Sequence, residues 1–181
     1  MKFTSRANAR LRQRGAALVI ALLMLLVMTV LGVAAMQVTR MEERMAGNSR
    51  DVNLAFQGAE AGLRDSEAVV EAWTLRPLPC SGAPCTTVVW RRDLLPSNLR
   101  DQLYSWWTTN AREYGVTGTR EVTEVTRDPR VVVESLGFVP DSLTVGHGPP
   151  EGRDFYKITA NSSGASDTAT AVLESTYTKR F

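Results

Sequence analysis

One stretch limits what this chain can become. From Ala16 to Met36 it runs 21 residues without a charge, and only Thr29 and Gly32 interrupt the aliphatic and methionine side chains. As an α-helix this run is about 31 Å long, close to the hydrocarbon thickness of a bilayer. A helix in the core of a soluble domain normally carries a polar stripe where it meets water, and this one carries none. The pattern predicts one membrane-spanning helix over 16–36. Ahead of it stand Lys2, Arg6, Arg10, Arg12 and Arg14, with no acid among the first 14 residues. Basic flanks stay on the cytoplasmic side, so the C-terminal part is expected across the membrane, where disulfides persist.

The same five bases account for the positive charge of the whole. The chain has 21 Lys and Arg against 19 Asp and Glu, and without the five the balance is 16 against 19, a net of −3. The pairs Arg91-Arg92 and Lys179-Arg180 are too sparse for a phosphate-binding surface, so no nucleic-acid partner is expected. The order of features also differs from a secretory signal, whose small-residue cleavage site follows a shorter apolar core. Here Gln13-Arg14-Gly15 precedes the run.

Helical periodicity continues past the apolar run. Met41, Met45, Asn48, Val52, Ala55, Phe56, Ala59, Gly62, Leu63, Ser66, Val69, Val70 and Trp73 recur at spacings of three and four, which places them on one face. Glu42, Glu43, Arg50, Asp51, Arg64, Asp65 and Glu71 fall on the other, where paired acids such as Glu42 and Glu43 read as a solvated face, and Glu60 precedes Arg64 in the favourable order for an ion pair. No proline occurs before Pro77. One helix from about Ala16 to Trp73 would be roughly 87 Å long, a length typical of coiled coils and fibre subunits. Phe56 and Leu63 are expected as packing residues. Gly58 and Gly62, one turn apart, permit close backbone approach by a neighbour.

Beyond Leu75 a loop rich in proline and glycine holds the only two cysteines, Cys80 and Cys85. With four residues between them, Gly82 and Pro84 included, they can close a small disulfide loop. A strand is expected over 86–91. A helix is expected over 97–114, capped by Ser97 or Asn98 and ended by Gly115. Trp106 and Trp107 lie about 100° apart on such a helix, so one is expected in the core and the other exposed. Alternation predicts strands over 120–126, 130–138, 154–161 and 168–178, with a hairpin turn at 162–167. The economical arrangement is α+β: an antiparallel sheet of about four strands, with one face covered by the long helix. The loop 141–153, with the lone His147, is expected to be exposed. No nucleophile motif, metal-ligand spacing or phosphate loop occurs, so neither catalysis nor a cofactor is expected.

Three stretches together carry a family resemblance: Gln13-Arg14-Gly15-Ala16-Ala17-Leu18-Val19, Glu42-Glu43-Arg44-Met45-Ala46-Gly47-Asn48, and Asn53-Leu54-Ala55-Phe56-Gln57-Gly58-Ala59-Glu60-Ala61-Gly62-Leu63-Arg64. They resemble the N-terminal region of PilX-type minor pilins of type IV pilus assembly. A weaker likeness extends over 155–160 and 169–177, while 75–150 matches nothing by eye. The resemblance implies a pilin-like fold in a bacterial inner-membrane protein. It implies a leader over 1–15, cut by a prepilin peptidase between Gly15 and Ala16, with Ala16 then methylated. Beyond the leader it implies the membrane helix over 16–36, its amphipathic continuation over 37–74 and a periplasmic domain over 75–181. The implied partners are the peptidase, the major pilin, other minor pilins and a tip adhesin. Most pilins carry a glutamate at the fifth mature position, where this chain has Ile20. That departure points to the tip or initiation complex, where no partner awaits such a carboxylate. A pseudopilin of type II secretion, a DNA-uptake pilin and a tethered periplasmic domain are the alternatives.

Overall fold

The computed structural model describes residues 14–82, 89–115, 121–141 and 151–181. The expected leader over 1–13, Cys85, the first part of the strand expected over 86–91, Arg120 and the loop around His147 lie outside the described residues. The chain forms two compact units, Met1–Gly47 and Asn48–Phe181. A single helix, α1 (Arg14–Ala72), enters both, within two residues of the bounds read from periodicity. In the first unit the described part is this helix alone, and every side chain from Gly15 to Gly47 is exposed.

The second unit is a mixed sheet faced on both sides. Its strands are β1 (Val89–Arg91), β2 (Arg112–Glu113), β3 (Arg130–Pro140), β4 (Gly152–Ser163) and β5 (Thr170–Lys179), and one short helix, α2 (Tyr104–Asn110), stands between β1 and β2. The order across the sheet is β1-β3-β4-β5, with β2 pairing on β3. β3, β4 and β5 are antiparallel, as their alternation predicts. β1, however, runs parallel to β3, which the expectation of a purely antiparallel sheet did not include.

Because side chains alternate across a strand, β1 and β3 feed two cores. The front core joins Ala59, Leu63 and Val70 of α1 to Val131, Val133, Tyr156, Ile158 and Ala160. The back core joins Cys80, Trp90, Leu99, Trp107 and Val132. A bulge between Ser135 and Gly137 lets β3 change its alternation, and Gly137 takes the positive φ of 113° that a side chain would oppose. Beyond the bulge Phe138 lies opposite Asp154, and Arg76 bonds Asp154 at 2.9 Å while stacking over the Phe138 ring at 4.8 Å.

Two expected elements change. The helix expected over 97–114 shrinks to α2, whose N-terminal boundary residue is Leu103. Asn98 caps no helix: its Oδ1 accepts from Arg100 N at 3.2 Å and its carbonyl from Gln102 Nε2. Such local side-chain bonds compete with helix. At the other end Ala111 is extended, and the chain turns into β2 before Gly115, so Gly115 ends no helix. The segment 121–126 forms turns rather than a strand. The Asp128 carboxylate accepts from the backbone N–H groups of Glu121 and Val122, which a strand would have given to a neighbour. Val125 is buried regardless.

Candidate functional site

Among the described residues no three His, Cys, Asp or Glu converge on a metal position. The chemistry of this chain lies in α1, the one described helix long and apolar enough to cross a membrane. Gly15 and Ala16 sit in its first turn. From Leu18 to Met36 its large side chains are all exposed, Ile20 at 57%. Its hydroxyls are already satisfied: Thr29 Oγ1 donates to Leu26 O at 2.8 Å and Thr39 Oγ1 to Ala35 O at 3.2 Å. From Leu18 to Met36 this surface offers a surrounding medium aliphatic and methionine side chains, and its one hydroxyl is bonded. Hydrocarbon demands that condition, because unpaired polar groups are costly there.

In the second unit α1 changes character. The residues turned to the sheet are small: Ala55, Gly58, Ala59, Gly62 and Ser66 are buried, with Leu63 and Val70 beside them. A Cβ added at Gly62 would stand 3.1 Å from both Pro129 Cβ and Val131 Cγ2. One added at Gly58 would fall 2.3 Å from Ser162 Oγ. The neighbour approaching these glycines is thus the chain's own sheet. Of the four expected packing residues, Gly58, Gly62 and Leu63 are brought together there. Phe56 is not: it stays 48% exposed, as does Val52, while Met41 and Met45 are more exposed still. The apolar stripe is wider than the sheet can cover, so its edge faces outward.

Polar rows flank the buried stripe, and three acids of the opposite face, Asp51, Asp65 and Glu71, are tied to the rest of the domain. Asp51 accepts from Ser166 N at 3.0 Å and from the Ser166 hydroxyl, at the turn joining β4 to β5. These bonds hold its carboxyl below the usual carboxylate range. Asp65 pairs with Arg112, which also donates to the buried Ser66 Oγ at 2.9 Å. Glu71 accepts from Tyr177 and, through its carbonyl, from Lys179, while Glu67 accepts from Ser175 Oγ at 2.9 Å. Sequence reading missed this stapling. Acids bordering an apolar stripe were its only signal, and nothing local to the helix names partners 47 to 115 residues away. The Glu60–Arg64 ion pair forms as predicted.

Cys80 is disulfide-bonded and buried in the back core. Trp107 is buried beside it, with Trp106 partly exposed and packed edge-on at 5.3 Å. One tryptophan is core and the other reaches the surface, as their spacing predicts.

Two family models cover nearly all of this framework. One, described as PilX N-terminal, matches residues 14–64; the other, described as type IV pilus assembly protein PilX C-term, matches residues 48–179. The chain belongs to the PilX family of type IV pilus assembly proteins. PilX membership makes it a minor pilin of a structural family, one that works with other pilus components. The long apolar helix suits a single-pass anchor in a PilX protein. No curated protein matches the chain, and no solved structure does.

Proposed function

We propose that this minor pilin primes type IV pilus assembly from the tip or initiation complex. The observation that carries the reading is Ile20 at the fifth position after Gly15, in a helix whose large apolar side chains are all exposed. A carboxylate there would need a partner inside the bilayer, because burying it alone costs several kcal/mol. A subunit with nothing above it has no such partner and does without the acid. In this reading a prepilin peptidase cuts between Gly15 and Ala16, and Ala16 is methylated. The N-terminus begins in the cytoplasm and the domain in the periplasm of the inner membrane. The protein then joins other minor pilins, the major pilin and a tip adhesin. Cys80 pairs with Cys85, and the loop they close is short enough that the bond contributes about 2 kcal/mol.

Deletion of the gene tests the role. Loss of surface pili and twitching supports it, loss of exoprotein secretion instead would assign the chain to a secretion pseudopilin, and loss of neither leaves a tethered domain. Tagged protein spaced evenly along sheared pili at high copy number refutes the tip position. Sequencing the mature N-terminus is the direct check on processing, and a start at Met1 in cells with active peptidase refutes it.

A further inference from the structure

The outer edge of β5 is left open. β5 pairs with β4 over ten consecutive residues, Asp154↔Lys179 to Ser163↔Thr170, without a register break. It ends the strand order on that side, and no backbone bond among the described residues crosses its outer edge. The opposite edge is treated differently. There β1 has three residues, and Cys80 N donates to Val89 O alongside it. Natural sheets protect a long edge with proline, a bulge, a lysine or brevity. β5 has no proline, no bulge and no lysine before its last residue, Lys179; its other charge is Glu174, and four of its ten residues are β-branched: Thr170, Val172, Thr176 and Thr178.

The edge is also held ready. Ser175, Tyr177 and Lys179 point to the front, where Glu67 and Glu71 of α1 fasten them. Behind it, a groove of about 310 Å³ lies between the turn Ser97–Arg100 and the side chains of Val172 and Glu174. Lys157 sits 3.2 Å from the buried Glu134 but 3.7 Å from Glu174, whose side chain is 55% exposed. Glu174 therefore keeps negative charge for a neighbour across the edge. A strand already fixed in register saves an incoming chain part of its ordering cost.

We propose that β5 is a docking strand, which takes up an extended segment of a different pilus subunit as one more strand of the sheet. The occupant is β-branched, with a lysine or arginine opposite Glu174, because strand addition reads backbone groups first and alternate side chains second. A second copy of this chain is a poorer occupant. Two β5 strands paired antiparallel about a two-fold normal to the sheet reverse every direction in its plane. Centred on the strand, such a pair brings Glu174 close to its own copy, where like charges repel. The inference rests on the pilus reading only for the choice of partner.

The test uses the full chain in detergent micelles, mixed in turn with each of the other purified pilins of the same pilus, with amide hydrogen exchange as the readout. One of them should slow exchange within 170–179 at least tenfold. Thr176→Lys and Glu174→Lys should each weaken that partner about fivefold or more while the tryptophan-monitored melt stays put. Unchanged exchange at 170–179 with every pilin overturns the proposal. So does protection confined to α1 around Val52 and Phe56, or protection that appears in the protein alone as its concentration rises. The deletion phenotype reports on the pilus role separately, so failure of one is readable without the other.

Discussion

Replacing Gly58 with alanine sets two effects of known sign against each other. In an exposed helix the change stabilises by about 1 kcal/mol, because alanine loses less backbone freedom on folding. Here the new methyl would stand 2.3 Å from Ser162 Oγ, 3.2 Å from Ser162 Cβ and 3.4 Å from Val125 Cγ1. Ser162 is buried, and its hydroxyl donates to Ser163 O at 3.1 Å. Either the hydroxyl swings away and leaves that bond, which costs about 1–3 kcal/mol in a buried site, or the helix lifts off the sheet, with an overpacking cost of about 1–3 kcal/mol. The clash outweighs the helix gain, and Gly58→Ala should destabilise by about 1–3 kcal/mol, lowering the midpoint by roughly 3–10 °C. The assay is a thermal melt of the full chain in detergent, followed by tryptophan fluorescence. Gly47→Ala is the internal control, since a Cβ there meets nothing within 4 Å. It should hold or raise the midpoint. Ser162→Ala removes the nearest clashing atom, so the double variant should return to within about 1 kcal/mol of Ser162→Ala alone. A Gly58→Ala protein as stable as the Gly47→Ala one, or a defect that Ser162→Ala leaves untouched, refutes the claim that small residues set the helix–sheet approach.

Arg112→Ala strips Asp65 and the buried Ser66 hydroxyl of their shared partner and should cost about 1–2 kcal/mol in urea denaturation; Asp65→Ala added to it should cost little more. Because the Ser166 bonds lower the Asp51 pKa, its contribution is complete above the ordinary carboxylate value of 3.8 and is lost as pH falls through the lower folded value. Asp51→Asn should therefore flatten the loss of stability below about pH 4 in acid titration. Tyr156 is pushed up to about 12, first by burial and then by the charge of Asp154, with Arg76 opposing. A raised pKa means stability is full below the unfolded value near 10 and declines as pH climbs toward 12, so Tyr156→Phe should remove that alkaline decline in fluorescence-monitored melts.

Strong periodicity was the legible part of this chain. The run Ala16–Met36 and the three-and-four spacing to Trp73 locate α1 almost to the residue, and alternation locates β3, β4 and β5. Reading was poorer where a side chain bonds the backbone locally. Asn98 bends the chain ahead of α2, and Asp128 holds 121–122 in a turn, so a helical spacing and a strand-like alternation were both overruled. The functional surface was half visible. Gly58 and Gly62 announced a close contact, and the sheet proved to be what they touch. Phe56 sits at the margin of a stripe broader than its cover, a matter decided by sheet width, which no helical spacing reports. The acids at Asp51, Asp65 and Glu71 acquire partners only through folding.

The division of alternate residues between two cores also acts as a proofreading device. Val131 and Val133 face the helix, while Val132 and Glu134 face away, with Lys157 opposite Glu134. Were β3 to slide by one position, the Glu134 carboxylate would turn into the front core beside Leu63 and Val70, leaving Lys157 behind on the other face. A mispaired sheet would thus repel the helix segment that covers it, and only the correct register lets the two close.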